Sequence, residues 1–205
     1  MKVSTQIKGV KVQAAKDSAC MFKKRNKIIN IDLSGLDTQN VTCLNSMLYK
    51  CSGLMSLDLS PLDTQNVTSM TMIFSSCSSL TSLDLSQLDT QKVTNMNHMF
   101  WNCNGLINLN LSSFDTRNVT NMSFMFDACG NLIGLDLSGF NTSKVIDMYC
   151  MFQSCVSIKT LKTGPSFKFV GTDYDLSGTW QNTAGETFTE GTFPSNVADT
   201  YTKVS

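Results

Sequence analysis

Apolar and polar positions along this chain follow a pattern that recurs every 26 residues, in five ungapped copies beginning at Ile28, Leu54, Leu80, Leu106 and Leu132. Repetition at this period marks a stacked-coil solenoid rather than a globule around one central core. In the third copy Leu83-Asp84-Leu85-Ser86 alternates, which predicts a short strand with Leu83 and Leu85 inward and Asp84 and Ser86 outward. The same register gives strands at 31–33, 57–59, 109–111 and 135–137. After Asp89-Thr90 the spacing changes to Met96, Met99, Phe100 and Cys103, which is i, i+3, i+4, i+7 and predicts one face of a helix. Helices are therefore expected to begin near residues 43, 69, 95, 121 and 147. Thr94 and its counterparts Thr42, Thr68 and Thr120 are placed to cap them, with Ile146 as the weaker start.

These elements predict an α/β repeat: a leucine-rich-repeat-like solenoid with one parallel sheet and a short helix per coil. Three segments follow. Residues 1–27 form an N-terminal cap with a degenerate repeat, in which Cys20-Met21-Phe22 keeps the register of Met47-Leu48. Residues 28–162 hold the five full repeats and a sixth strand at Ile158–Leu161. Residues 163–205, with Trp180, Phe188, Phe193 and Tyr201, form a C-terminal β-rich cap over the last coil.

The units Leu83-Asp-Leu-Ser-Gln-Leu88-Asp-Thr, Val93-Thr-Asn-Met96 and Met99-Phe100-Trp-Asn-Cys103 resemble the 26-residue bacterial surface-protein repeat of the BspA-like leucine-rich-repeat family. The resemblance extends over residues 28–162, and the ending from Trp180 to Gly185 and from Pro194 to Tyr201 is similar to the segment that often follows such repeats. It implies a surface-exposed or secreted protein of bacteria or protists, concerned with adhesion to host or neighbouring cells. The usual ladder Asn is replaced here by an apolar column, Leu36, Leu62, Leu88, Phe114 and Phe140. The adjoining Asp37, Asp63, Asp89, Asp115 and Asn141 are expected to hold the turn backbone through Asx-type turns.

Charge changes this picture only in its distribution. Sixteen bases balance sixteen acids, but residues 1–27 carry a net +7, residues 28–157 −6 and residues 158–205 −1. The basic run Lys23-Lys24-Arg25 lacks interleaved aromatics, so it reads as a solvated end cap and no nucleic-acid partner is expected. No stretch has the length of a membrane span, and no signal-like apolar core follows Met1, so a signal or anchor would lie outside this chain.

Candidate chemistry is sparse. Cys51, Cys77, Cys103, Cys129 and Cys155 form a column on the inward stripe; a line of thiols does not converge on a metal, and their parallel side chains disfavour disulfides. Cys43 sits in a polar column, and Cys20 and Cys150 are too far apart to pair. His98 lies in a variable column without a surrounding acid or nucleophile. The Met pairs, such as Met96 with Met99, have the phase of core filler. Sequons such as Asn40-Val-Thr arise from the repeat. No catalytic residue, metal site or cofactor is expected, and the chain reads as non-enzymatic.

One exposed column invites a function. Asp32, Asp58, Asp84, Asn110 and Asp136 project outward from successive strands, stacking like charges. A basic protein patch or divalent cations would be the natural partner, with calcium disfavoured because no single loop assembles the six to eight oxygens it prefers. The expectation is a binding module for a cell-surface protein or glycan, with a structural spacer or self-association module of a larger surface protein as the alternative.

Overall fold

The computed structural model describes Met1 and residues 11–205; residues 2–10 of the expected N-terminal cap lie outside the described residues. The 26-residue register holds throughout. The leucines at 57, 59, 83, 85, 109, 111, 135 and 137 are all buried, and the polar residues between them face outward. The period-two alternation thus orients these side chains as the pattern requires.

The expected helices are absent: among the described residues there is no α-helix. In the third coil the N–H groups of Met99, Trp101 and Cys103 donate to the carbonyls of Met96, His98 and Phe100, each three residues back, at 3.1 Å. The intervening N–H groups of His98, Phe100 and Asn102 leave the coil and donate to Ser123, Met125 and Asp127 of the next one, at 3.0, 2.9 and 2.8 Å. The segment is a staircase of overlapping β-turns. An α-helix would direct every N–H four residues back inside its own segment, whereas here half of them join neighbouring coils. The geometry demands left-handed backbone at His98 and Asn102 (φ 55° and 57°), at Ser46 and Lys50, and at the equivalent pairs in other coils. That conformation costs about 1–2 kcal/mol per non-glycine residue. Inter-coil hydrogen bonds, at about 1 kcal/mol net each, offset it.

The single parallel sheet is likewise corrected. Strand β1 (Val12–Gln13) pairs in parallel with β2 (Leu36–Asp37). Strand β3 (Gly134–Leu137) pairs in parallel with β4 (Thr160–Thr163). The expected strands at 31–33, 57–59, 83–85 and 109–111 keep their alternating burial but are not laddered strands. In each copy the Asp or Asn side chain accepts the backbone N–H two residues on, as when Ser86 N–H donates to Asp84 Oδ1 at 2.9 Å; the fifth copy makes the same bond at Ser138, just beyond its strand, so this bond marks the end of the segment and does not prevent pairing. The fifth copy becomes a regular strand because β4 is clamped on its other edge. Strand β7 (Asp199–Lys203) pairs antiparallel with β4, and β5 (Trp180–Gln181) and β6 (Thr187–Phe188) extend the sheet in the order β3-β4-β7-β5-β6. Isolated parallel bridges run along the start of the staircases, from Asp17↔Cys43 to Asn121↔Asp147.

The Thr column does not cap anything. The Thr94 N–H and hydroxyl both donate to the Thr68 carbonyl in the preceding coil, at 2.9 and 3.2 Å, and Ile146 makes the same backbone bond to Thr120 at 2.9 Å. The N-terminal segment closes the first coil as half a coil, with Cys20, Phe22 and Lys24 donating to Asn45, Met47 and Tyr49.

Besides the buried Leu, Val and Met columns, three interior columns tie each coil to its neighbour. Phe74, Phe100, Phe126 and Phe152 stack with centroids 5.6, 5.8 and 5.9 Å apart. The cysteines of the repeated column are buried and unbridged, and each thiol donates to a carbonyl of the preceding coil, Cys103 to Phe74 at 3.0 Å. The third column is polar. The buried hydroxyl of Thr90 donates to the Asp115 carbonyl at 3.1 Å and accepts from the Asp115 N–H at 2.8 Å, with Thr38, Thr64, Thr116 and Thr142 doing the same in their coils.

Candidate binding face

The acidic column lies where sequence reasoning put it, though its chemistry is partly local. Asp58, Asp84, Asn110 and Asp136 are exposed, and Asp32 is half-buried. In each copy the side-chain oxygen accepts the backbone N–H two residues on: Ser34, Ser60, Ser86 and Ser138 at 2.9 Å, and Ser112 at 3.0 Å from Asn110. Each is an Asx turn, so the Asp-Leu-Ser recurrence has a structural use besides any recognition. The adjoining Asp37, Asp63, Asp89, Asp115 and Asn141 form a second row of Asx turns, as their positions suggested.

Electrostatically the column is uneven. The Ser86 N–H and hydroxyl hold the Asp84 carboxyl below its usual range. At Asp136 partial burial pushes upward, but the Ser138 hydroxyl and N–H together with the Lys162 ammonium outweigh it and the carboxyl is lowered. The Lys162–Asp136 pair, 3.0 Å long and half exposed on both sides, contributes little stability. Asn110 is neutral, so the unpaired negative field is centred on Asp58 and Asp84.

Beside the acids runs a feature that the strand pattern concealed. Ile29, Met55, Ile107 and Ile133 occupy one position of successive copies, with Thr81 and Lys159 completing the column, and are 65%, 63%, 44% and 45% exposed. The residue following the buried leucine at the head of each copy is the sequence signal for this strip. Small polar residues, Asn30, Ser56, Ser82 and Asn108, separate it from the acids. An open groove of about 530 Å³ crosses the face between Asn110, Ile133, Asp136 and Lys162. The coils therefore present, side by side, an apolar strip, a row of hydrogen-bonding groups and an acidic row, a composition suited to a partner surface of mixed character.

Reactive groups are not brought together. His98 stacks on Phe124 at 4.4 Å, its Nδ1 lies 2.7 Å from Asn97 Oδ1, and burial lowers its pKa. Burial pushes the Cys103 and Cys155 thiols up to about 12, which leaves them poor nucleophiles. Among the described residues no cluster of three or more His, Cys, Asp or Glu could hold a metal ion, and no helix is long and apolar enough to cross a membrane.

A family model described as "Mycoplasma protein of unknown function, DUF285" matches residues 16–133 and again 73–164. No curated protein matches the chain. Among solved structures, the T. pallidum leucine-rich repeat protein TpLRR is similar at 16% identity, with 77% of each chain covered and a TM-score of 0.48.

Proposed function

This chain belongs to the Mycoplasma family of unknown function DUF285, and on that premise we propose that it is a non-enzymatic binding module of the BspA-like kind, displayed at a cell surface. It engages a protein or glycan of host or neighbouring cells through the face that carries the acidic and apolar columns. The observation that carries this reading is the column of exposed apolar residues Ile29, Met55, Ile107 and Ile133, broken only by Thr81 in the third coil, on the face that carries Asp58 and Asp84. Large apolar side chains aligned on a surface lose free energy to water and gain it on contact, at about 25 cal/mol per Å² covered. The acids beside them would select for a basic rim.

The test is binding of the isolated chain to immobilised extracellular-matrix proteins and to intact epithelial cells. Met55→Ser with Ile133→Ser should abolish saturable binding, and Asp58→Asn with Asp84→Asn should weaken it and flatten its salt dependence. Both pairs leave the interior columns untouched. Binding that survives both pairs unchanged defeats this face as the site. A concentration-dependent dimer in sedimentation, lost in the Met55/Ile133 pair, would instead identify the face as a self-association surface.

A further inference from the structure

The basic N-terminal end contains a pocket of different chemistry. Lys24 and Lys50 occupy the same position of adjacent coils, both in the left-handed region at φ 61°. The Lys24 N–H donates to the Tyr49 carbonyl at 2.7 Å and the Lys50 N–H to the Ser75 carbonyl at 2.9 Å, which fixes the two backbones in register. Both residues line one concavity of about 360 Å³, together with Asn26, Ser52, Ser76, Ser78 and Asn102, the Lys50 ammonium lying 5.2 Å from the Tyr49 ring centroid. Among the described residues neither lysine has an ion-pair partner, and no acid lines the pocket. Like charges on adjacent rungs are destabilising, and Lys23, Arg25 and Lys27 on the same segment add to the field.

We propose that this pocket binds an acidic saccharide, with the ammonium groups of Lys24 and Lys50 clamping its sulfate or carboxylate. Three observations select that class. The rest of the lining is amide and hydroxyl, which can both donate to and accept from sugar hydroxyls. The volume lies within the range of small-ligand sites. No aromatic side chain lines the pocket, so it offers no platform for base stacking, which single-stranded nucleic acid would require. This site stands apart from the acidic face and does not depend on that face's role.

The experiment uses the whole chain and a heparin-derived hexasaccharide at near-physiological salt, followed by calorimetry. Comparison ligands are the desulfated hexasaccharide, which keeps its carboxylates, inorganic sulfate alone, and single-stranded DNA of equal charge. The sulfated sugar should bind at about micromolar affinity. Lys24→Gln with Lys50→Gln should weaken it at least about tenfold and reduce the salt slope. Lys92→Gln with Lys144→Gln, the same change in net charge elsewhere, should alter it less than about twofold. Bound sugar should also protect Lys24 and Lys50 from acetylation, read by mass spectrometry on the unmutated chain. Retained affinity for the desulfated sugar assigns the carboxylate as the clamped group; its loss assigns the sulfate. Equal weakening by both lysine pairs, absence of protection, or DNA binding as tight as the sugar would overturn the proposal. The Asp58/Asp84 variant should keep the sugar site, so failure here and failure of the acidic face are separable.

Discussion

Replacing Thr90 with Val tests whether hydroxyls, rather than side-chain packing alone, hold the coils together. The substitution keeps shape and swaps the hydroxyl for a methyl at a site 1% exposed. It removes two bonds at once, the 3.1 Å donation to the Asp115 carbonyl and the 2.8 Å acceptance from the Asp115 N–H. Each of the two Asp115 backbone groups left unpaired costs about 1–2 kcal/mol, Asp115 being half-buried. The added methyl returns about 0.8 kcal/mol. The net loss is about 2 kcal/mol, or roughly 4–8 °C in Tm for a chain of this size. Because Thr90 joins the middle coils, the loss falls on an interface through which the two ends of the array cooperate. Urea unfolding should therefore broaden as well as shift. Thr90→Ser, which keeps the hydroxyl and deletes the methyl, should cost only about 1 kcal/mol. A Val variant as stable as the parent, or a Ser variant that is worse than Val, would refute the hydroxyl ladder.

Three further measurements probe other columns. Ala128→Gly should stabilise the chain by about 0.5–1 kcal/mol in urea, because Ala128 sits at φ 57° and glycine removes the left-handed penalty at a smaller entropic cost; destabilisation would reject the turn staircase in favour of a helix. Stability should fall steeply above pH 9: burial raises the thiols of Cys77, Cys103, Cys129 and Cys155 above their ordinary value of 9.0, so the folded state keeps protons that the unfolded chain releases. Each such thiol forfeits about 1.4 kcal/mol one unit above that value, and a melting temperature independent of pH between 8 and about 10 would contradict it. Gly105→Ala should destabilise by about 2–4 kcal/mol, since a Cβ there would collide with the Ser78 and Leu80 carbonyl oxygens of the preceding coil; an unchanged melting curve would show that the coils are not so closely apposed.

The solenoid register and the inward phase of nearly every large apolar residue were legible because both follow from periodicity alone. The helix was not, and the reason is specific. Overlapping turns place Met96, Met99, Phe100 and Cys103 inward at the same spacings that a helical stripe would, so the apolar pattern cannot separate the two. What separates them is backbone handedness, and the residues that carry it conceal it. Asn102 tolerates positive φ, but Met72 and Phe124 are unusual there. The Thr column was visible in all five copies yet ambiguous, because a Thr after Asp also suits a simple turn. For the candidate face, the acids were found from their outward phase. The apolar strip escaped because Ile and Met next to a buried leucine look like more core until their exposure is known.

The columns divide by what they can vary. Phe, Cys and Thr in the interior are tied to the adjacent coil by stacking or hydrogen bonds, so change there is read as lost stability. Lys24 and Lys50, or Met55 and Ile133, are exposed, the Lys50 ammonium lying over the neighbouring Tyr49 ring, so change there is read as altered recognition. Asp58 and Asp84 fall between the two classes: asparagine keeps the Asx turn, as Asn110 demonstrates, while removing the charge. That substitution therefore isolates electrostatics from folding. It should weaken a basic partner at the face, and by relieving long-range repulsion it should slightly strengthen an acidic saccharide at the Lys24–Lys50 pocket, by less than about twofold once salt screens beyond about 8 Å. Opposite signs from one pair of substitutions would be hard to obtain from a change in fold, which would move both affinities the same way.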